Sequence, residues 1–170
     1  MPVGAASWSF TEDDFAAITQ SLQRFLHDCN ARCALLVDRS GQLVATVGEQ
    51  PKFDPTAFAT LTAADFSAND QLARLIGERD FTTLFHQGER DSMYLADVAR
   101  RIILVVLFDN RTTLGLVRLK LRGVVDELAQ VFEAVFARAE GGTRPLARSL
   151  GVAPADLLAG AEDEIDRLFS

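Results

Sequence analysis

The spacing of apolar positions changes several times along the chain, and each change marks an element. Phe15, Ile18, Leu22, Phe25, Leu26 and Cys29 recur by threes and fours, the spacing of one helical face. Thr11 ahead of Glu12, Asp13 and Asp14 supplies the start: its hydroxyl can cap an orphan N–H, and the acids suit the positive end of the helix dipole. This helix is predicted to run to about Asp28, with Asn30 as its C-terminal stop. Two short apolar runs follow, CALLVD over Cys33–Asp38 and LVATVG over Leu43–Gly48. Arg39-Ser40-Gly41-Gln42 between them is a turn too short for parallel pairing, so the two strands form an antiparallel hairpin. Asp54-Pro55 opens a second helix, Asp as cap and Pro at the first helical position. It is predicted to reach about Ile76 and stop at Gly77. Three more strands are expected as a meander: Phe81–Gln87, Ser92–Val98 and Arg101–Phe108. The nearly unbroken apolar run Ile102–Phe108 predicts a strand buried on both faces. Beyond it, Leu114, Val117, Leu121, Val124, Leu128, Val131 and Val135 return to helical spacing, widened by Val125, Phe132 and Phe136. A third helix is therefore expected to about Ala139.

The order α-β-β-α-β-β-β-α predicts an α/β (α+β) sandwich, a five-stranded antiparallel sheet with helices on both faces. The first and third helices are expected to share one face and the second to take the other. Four segments are expected: a lead-in over 1–10, the domain over 11–139, a flexible linker over 140–153 and an acidic amphipathic tail over 154–170. The linker rests on Gly141-Gly142-Thr143-Arg144-Pro145. If the tail is helical, Leu157, Leu158, Ala161, Ile165, Leu168 and Phe169 would line one edge, and Glu162, Asp163, Glu164 and Asp166 the other.

The second helix carries two unlike stripes. Phe58, Leu61, Leu72, Leu75 and Ile76, with Ala68 between them, read as the face against the core. Ala57, Thr60, Ala64, Ser67 and Gln71 form a stripe without a charge, where a solvated face normally carries Lys, Glu and Arg. The plain reading is an alanine-rich helix with a quiet surface. The sharper reading, favoured here, is an interface to a copy of the same helix or to a partner.

Composition narrows the function. The formal charge is −7 over 170 residues, with 48% hydrophobic residues. That argues for one packed domain and against nucleic acid or an anionic membrane surface as partners. No apolar run is long enough to span a bilayer, and the N-terminus lacks a signal peptide's basic and apolar regions, so a cytoplasmic location is expected. Phosphate-loop, dinucleotide and HExxH motifs are absent from the sequence. His27-x-Cys29-x3-Cys33 is the one metal-like grouping, and two small core cysteines explain it better. Arg100, Arg101 and Arg111 fall on turns, where a mobile arginine could complete a GTPase site in trans. A loop-bracing role is the commoner one. No catalytic residue, metal or cofactor is expected.

LLVDRSGQLVATVG (35–48), TLTAADFSANDQLARLIGE (60–78), FHQGERDSMYL (85–95) and ILVVLFDNRTTLGLVRLKL (103–121), in this order of elements, resemble the Roadblock/dynein light chain family, and within it the bacterial gliding-motility members. EDEIDRLFS at the C-terminus resembles their tail. The resemblance implies a Roadblock-type homodimer whose sheets join through the third strand, with Phe81, Thr83, Phe85 and Gln87 at the dimer edge. It implies a partner, a Ras-like small GTPase, bound on the paired second helices. Ala64, Ser67, Ala68 and Gln71 would lie at that face, alongside Ala57 and Thr60. It implies that GTP hydrolysis is accelerated without an arginine finger, in the service of cell polarity or motility. The tail is implied to contact the GTPase through Asp163, Ile165, Asp166, Leu168 and Phe169 and to tune nucleotide exchange. A scaffold of the same fold that binds partners without changing hydrolysis is the alternative.

Overall fold

A computed structural model describes residues 8–149, and side chains as far as residue 141. The elements are α1 (Glu12–Cys29), β1 (Cys33–Asp38), β2 (Leu43–Gly48), α2 (Pro55–Leu75), β3 (Thr83–Gln87), β4 (Ser92–Val98), β5 (Ile102–Phe108) and α3 (Leu114–Ser149). The five strands form one sheet in the order β2-β1-β5-β4-β3, each neighbouring pair antiparallel. Hairpins join β1 to β2, β3 to β4 and β4 to β5, α2 connects the two edge strands β2 and β3, and the hydrophobic β5 slots between β1 and β4. Among the described residues no helix is long and apolar enough to cross a membrane.

Local chemistry sets the helix starts. Thr11 Oγ1 accepts from the Asp14 backbone N at 3.1 Å, and Thr11 N donates to Asp14 Oδ2 at 2.9 Å, a reciprocal capping box. Asn30 closes α1 in the left-handed region, at φ 53. Asp54 Oδ1 caps α2 through Thr56 N at 3.0 Å, with Pro55 behind it. One member of the expected α1 stripe is misplaced: Phe15 is 52% exposed. The first turn and a half of α1 buries nothing, and burial begins at Ile18.

Register builds the two layers. Leu35 lies opposite Val105, Val105 opposite Leu95, and Leu95 opposite Leu84, a row crossing four strands. With Cys33, Val37 and Ile103 this row packs against Ala59 and Phe66 of α2. The alternate residues Ala34, Val106, Tyr94 and Phe85 form the next row and face the other side. Phe85 stacks on Phe108 there, centroids 6.2 Å apart. α1 and α3 lie side by side, since Ser21 Oγ donates to Glu127 Oε2 at 2.5 Å and Arg24 Nη2 donates at 3.3 Å. Val117, Leu121, Val124 and Leu128 of α3 are buried as the spacing predicts.

The chain divides into two compact units, and residues 11–133 form the one that holds the sheet. The other includes residues 8–10 and the helix from Ala134 onward. Within it, Trp8 meets Phe10 and Phe136 edge-on, at 4.9 and 5.5 Å between centroids. The linker expected from residue 140 is corrected in its first part. α3 runs on through Gly141-Gly142-Thr143-Arg144-Pro145 to Ser149. A helix that is already propagating has met its nucleation cost, so residues too poor to start one can prolong one. Residues 150–153 and the tail over 154–170 lie outside the described residues.

The β4–β5 turn departs from hairpin convention. Ala99 and Arg100 both sit at positive φ, 51 and 63, where two-residue turns favour Asn-Gly. Asp97 Oδ2 accepts from Arg100 N at 3.3 Å, and Arg101 N returns to Val98 O at 3.3 Å. A non-glycine residue in this region is disfavoured by about 1 kcal/mol. Arg100→Gly is therefore expected to raise the denaturant midpoint by an amount equivalent to about 1 kcal/mol or slightly less. An unchanged or lower midpoint would show that the turn stores no strain.

Candidate functional site

α2 presents its large side chains outward. The residues it buries are Ala59, Thr62, Ala63, Phe66, Asn69 and Ala73. At 100° per residue these fall on one side of the helix, centred near Phe66. Leu61, Leu72, Leu75 and Ile76 are 69%, 58%, 82% and 70% exposed. The expected assignment of these four residues to the core is thus overturned, and of that set only Phe58 packs partly inward. The strands explain why. Leu35, Leu95, Ile103 and Val105 already fill the centre of this sheet face, so the helix lies close on small residues with Phe66 as its one large apolar knob.

The six α2 residues expected at a partner face, Ala57, Thr60, Ala64, Ser67, Ala68 and Gln71, are all exposed. They share the outward side with the leucines instead of opposing them. Leu61, Ala64, Ala68, Leu72 and Leu75 run down its middle at spacings of three and four, flanked by Thr60, Ser67 and Gln71. This is a contiguous apolar ridge with small residues in it, the kind of surface that admits another backbone closely. Alone, such a ridge would be a liability in water.

β3 lies alongside it at the sheet edge. His86 Nε2 and Asp65 Oδ2 are 2.7 Å apart, tying β3 to α2. Of the expected dimer-edge residues, Thr83 and Gln87 are exposed and Phe85 is half-buried in its stack with Phe108. Phe81 precedes the strand, which begins at Thr83. An edge strand pairs through its backbone, so the side chains expected there bear on the contact only indirectly. The tail residues Asp163, Ile165, Asp166, Leu168 and Phe169 lie outside the described residues.

One side chain of the β1–β2 turn proves central to α2. Arg39 Nη1 donates to Asp70 Oδ2 at 2.8 Å and Nη2 to Asp97 Oδ1 at 2.5 Å. Its guanidinium lies 5.0 Å above the Phe66 ring centroid. Burial works against the Arg39 charge, but the carboxylates, Asp97 foremost, outweigh it and hold its pKa above the usual value. The period of the sequence carries no sign of this cluster, because its members are far apart in the chain.

Of the turn arginines weighed from sequence, Arg111 is held in a polar cluster that also includes Arg32. Arg111 donates to Asp109 at 3.0 Å and to Glu49 at 3.0 Å, and Arg32 donates to Glu49 at 3.0 Å and Asp91 at 2.6 Å. The Asp109 carboxyl is held low, first by Arg111. Cys29 and Cys33 are free and buried. Burial raises both thiols, Cys33 to about 11, which suits packing better than metal binding or nucleophilic attack. Among the described residues no three His, Cys, Asp or Glu side chains are placed to hold a metal ion.

A family model for the Roadblock/LC7 domain matches residues 17–108, from within α1 to the end of β5. Among solved structures, Myxococcus xanthus MglB is similar at 45% identity and a TM-score of 0.68, over 71% of this chain and 98% of that one. The gliding protein MglB of Thermus thermophilus is similar at 31% identity and a TM-score of 0.71, over 78% of this chain and 99% of that one. A structure described as MglB with a tetrameric arrangement matches at 31% identity and a TM-score of 0.72, over 78% and 99%. No curated protein matches the sequence significantly. A match that takes in the whole sheet and the outward-facing second helix, joined to this likeness to MglB proteins, establishes that the chain belongs to the Roadblock/LC7 family.

Proposed function

We propose that the protein is a homodimeric regulator of a Ras-like small GTPase of the MglA type. The observation that carries this reading is the largely apolar, leucine-bearing outward face of α2 in a chain 45% identical to an MglB protein. Two copies joined at their β3 edges would set two such helices side by side and offer one GTPase a broad apolar platform. The expected effect is faster GTP hydrolysis. Of the turn arginines, Arg111 is engaged in ion pairs with Glu49 and Asp109 within the protein, and the resemblance implies that no arginine is supplied in trans. Acceleration then comes from differential binding: the dimer prefers the conformation in which the GTPase's own catalytic groups are aligned. The tail over 154–170 contacts the GTPase separately and tunes nucleotide exchange. The protein acts in the cytoplasm, in cell polarity or motility.

Single-turnover GTP hydrolysis by an MglA-type GTPase, with and without saturating protein, tests the reading. An acceleration of at least about tenfold is expected, a differential binding of about 1.4 kcal/mol. Tight binding with an unchanged rate would replace the activator with a scaffold. No binding would remove the GTPase as partner.

A further inference from the structure

We propose that Arg39 is a positioning residue that clamps α2 to the sheet and thereby fixes the geometry of the partner face. The affinity part of this inference rests on the GTPase reading above; the clamp itself does not. Besides the half-buried Phe58 and the exposed Asp65–His86 contact, α2 is held mainly by its buried side. That side is three alanines, Thr62, Asn69 and one large apolar side chain, Phe66. Small residues allow close approach but bury little area, so the helix is free to slide or tilt unless something fixes it along its axis. Arg39 does this from above Phe66. One arm of its guanidinium reaches Asp70 on α2 and the other reaches Asp97 at the end of β4. The arginine itself is anchored through its backbone, Arg39 N donating to Arg101 O at 3.0 Å. Asp97 is anchored likewise, its N–H donating to Thr82 O at 3.0 Å and its Oδ2 accepting from Arg100 N. The β1–β2 turn, the β4–β5 turn and α2 therefore meet at one guanidinium.

The geometry suits arginine alone. A planar fork can span two carboxylates that lie on different elements, whereas a lysine ammonium is a point charge. The cluster is also under-satisfied. Arg39 Nε, Asp70 Oδ1 and the neighbouring Asn69 Nδ2 are buried without a hydrogen-bond partner. Among the α2 contacts this guanidinium alone joins the helix to both turns, so the seat of α2 depends on that side chain.

Peptide-resolved hydrogen exchange on Arg39→Met, combined with titration of the MglA-type GTPase, tests the clamp. Exchange in α2 is expected to rise about tenfold or more while β1 and β5 keep their protection, and GTPase affinity to fall by about tenfold. Arg39→Lys should recover part of both, since it restores charge but spans only one carboxylate. Should Arg39→Met fail to fold, Asp70→Asn removes only the helix end of the bridge and carries the same expectation. Unchanged α2 protection, or a rise shared equally by β5, would overturn the clamp. Selective loosening of α2 with unchanged affinity would overturn its link to the partner face. If the native protein binds no GTPase, the proposed function falls, and exchange alone still decides the clamp.

Discussion

Ala68→Arg is expected to weaken GTPase binding by about a hundredfold or more, the cost of leaving a charge unpaired in an apolar contact. Ala68 sits at the middle of the outward side of α2. Ala64 and Leu72 lie one turn away on either side, and Leu61 and Leu75 two turns away. A guanidinium there would project into the centre of any helix or sheet laid on this ridge. The folded chain should barely notice it, because Ala68 is exposed and α2 buries its opposite side. Stability within about 0.5 kcal/mol of the parent is expected. Leu119→Arg is the matched control. Leu119 is also a large exposed apolar residue, 69% accessible, but it is on α3, away from the ridge. Titration calorimetry with the two variants separates the cases. Normal affinity in Ala68→Arg would move the interface off α2. Equal loss in both would point to a general effect of added charge.

The outward side of α2 was only half legible in the sequence, for a reason specific to this helix. Its uncharged stripe is visible because Ala57, Thr60, Ala64, Ser67 and Gln71 break the rule that solvated helix faces carry charge. Its leucines mislead because size is ordinarily the best guide to burial. Here the sheet's own side chains fill the space, and small residues serve the inward side better. Two periodic stripes on one helix leave open which of them faces the core, and only the sheet decides. Arg39 was invisible for a different reason. In sequence it is one residue of an Arg-Ser-Gly-Gln turn, and its carboxylates lie 31 and 58 positions away. Tertiary ion pairs leave no period.

The sheet was far more legible. β1 and β2 begin and end where their apolar runs do, and β5 is buried along nearly its whole length. The antiparallel pairing follows from loop length alone. The order β2-β1-β5-β4-β3 does not, because inserting β5 beside β1 is a choice that short loops leave open. What decides it is the apolar content of β5. A strand with no polar alternation must lie inside the sheet, where β1 on one side and β4 on the other cover it. The third helix shows the opposite failure. Its apolar period ends near Ala139 and its backbone continues to Ser149, so periodicity located the packed part of the helix and not its end.

Gly48→Ala is expected to cost about 2–5 kcal/mol, combining a left-handed backbone with overpacking. Gly48 ends β2 opposite Cys33, at φ +100. A Cβ there would stand 2.6 Å from Arg32 O, 2.9 Å from Leu26 Cδ1 and 3.0 Å from the Cys33 Cα. Two of those neighbours are backbone atoms of the adjoining strand and its lead-in, and cannot rotate away. Relief would need β2 to part from β1 at the point where Glu49 N donates to Arg32 O at 3.0 Å. The thermal midpoint should fall by roughly 10 °C. Gly123→Ala is the informative counterpart. It adds the same methyl group within α3, where nothing lies within 4 Å of the new atom. Replacing glycine inside a helix should stabilise by about 0.5–1 kcal/mol. Thermal unfolding of both variants should therefore move in opposite directions. A Gly48→Ala protein that melts with the parent would mean that β2 ends without the close approach to Arg32 and Cys33, and the hairpin would then tolerate any small residue at its end.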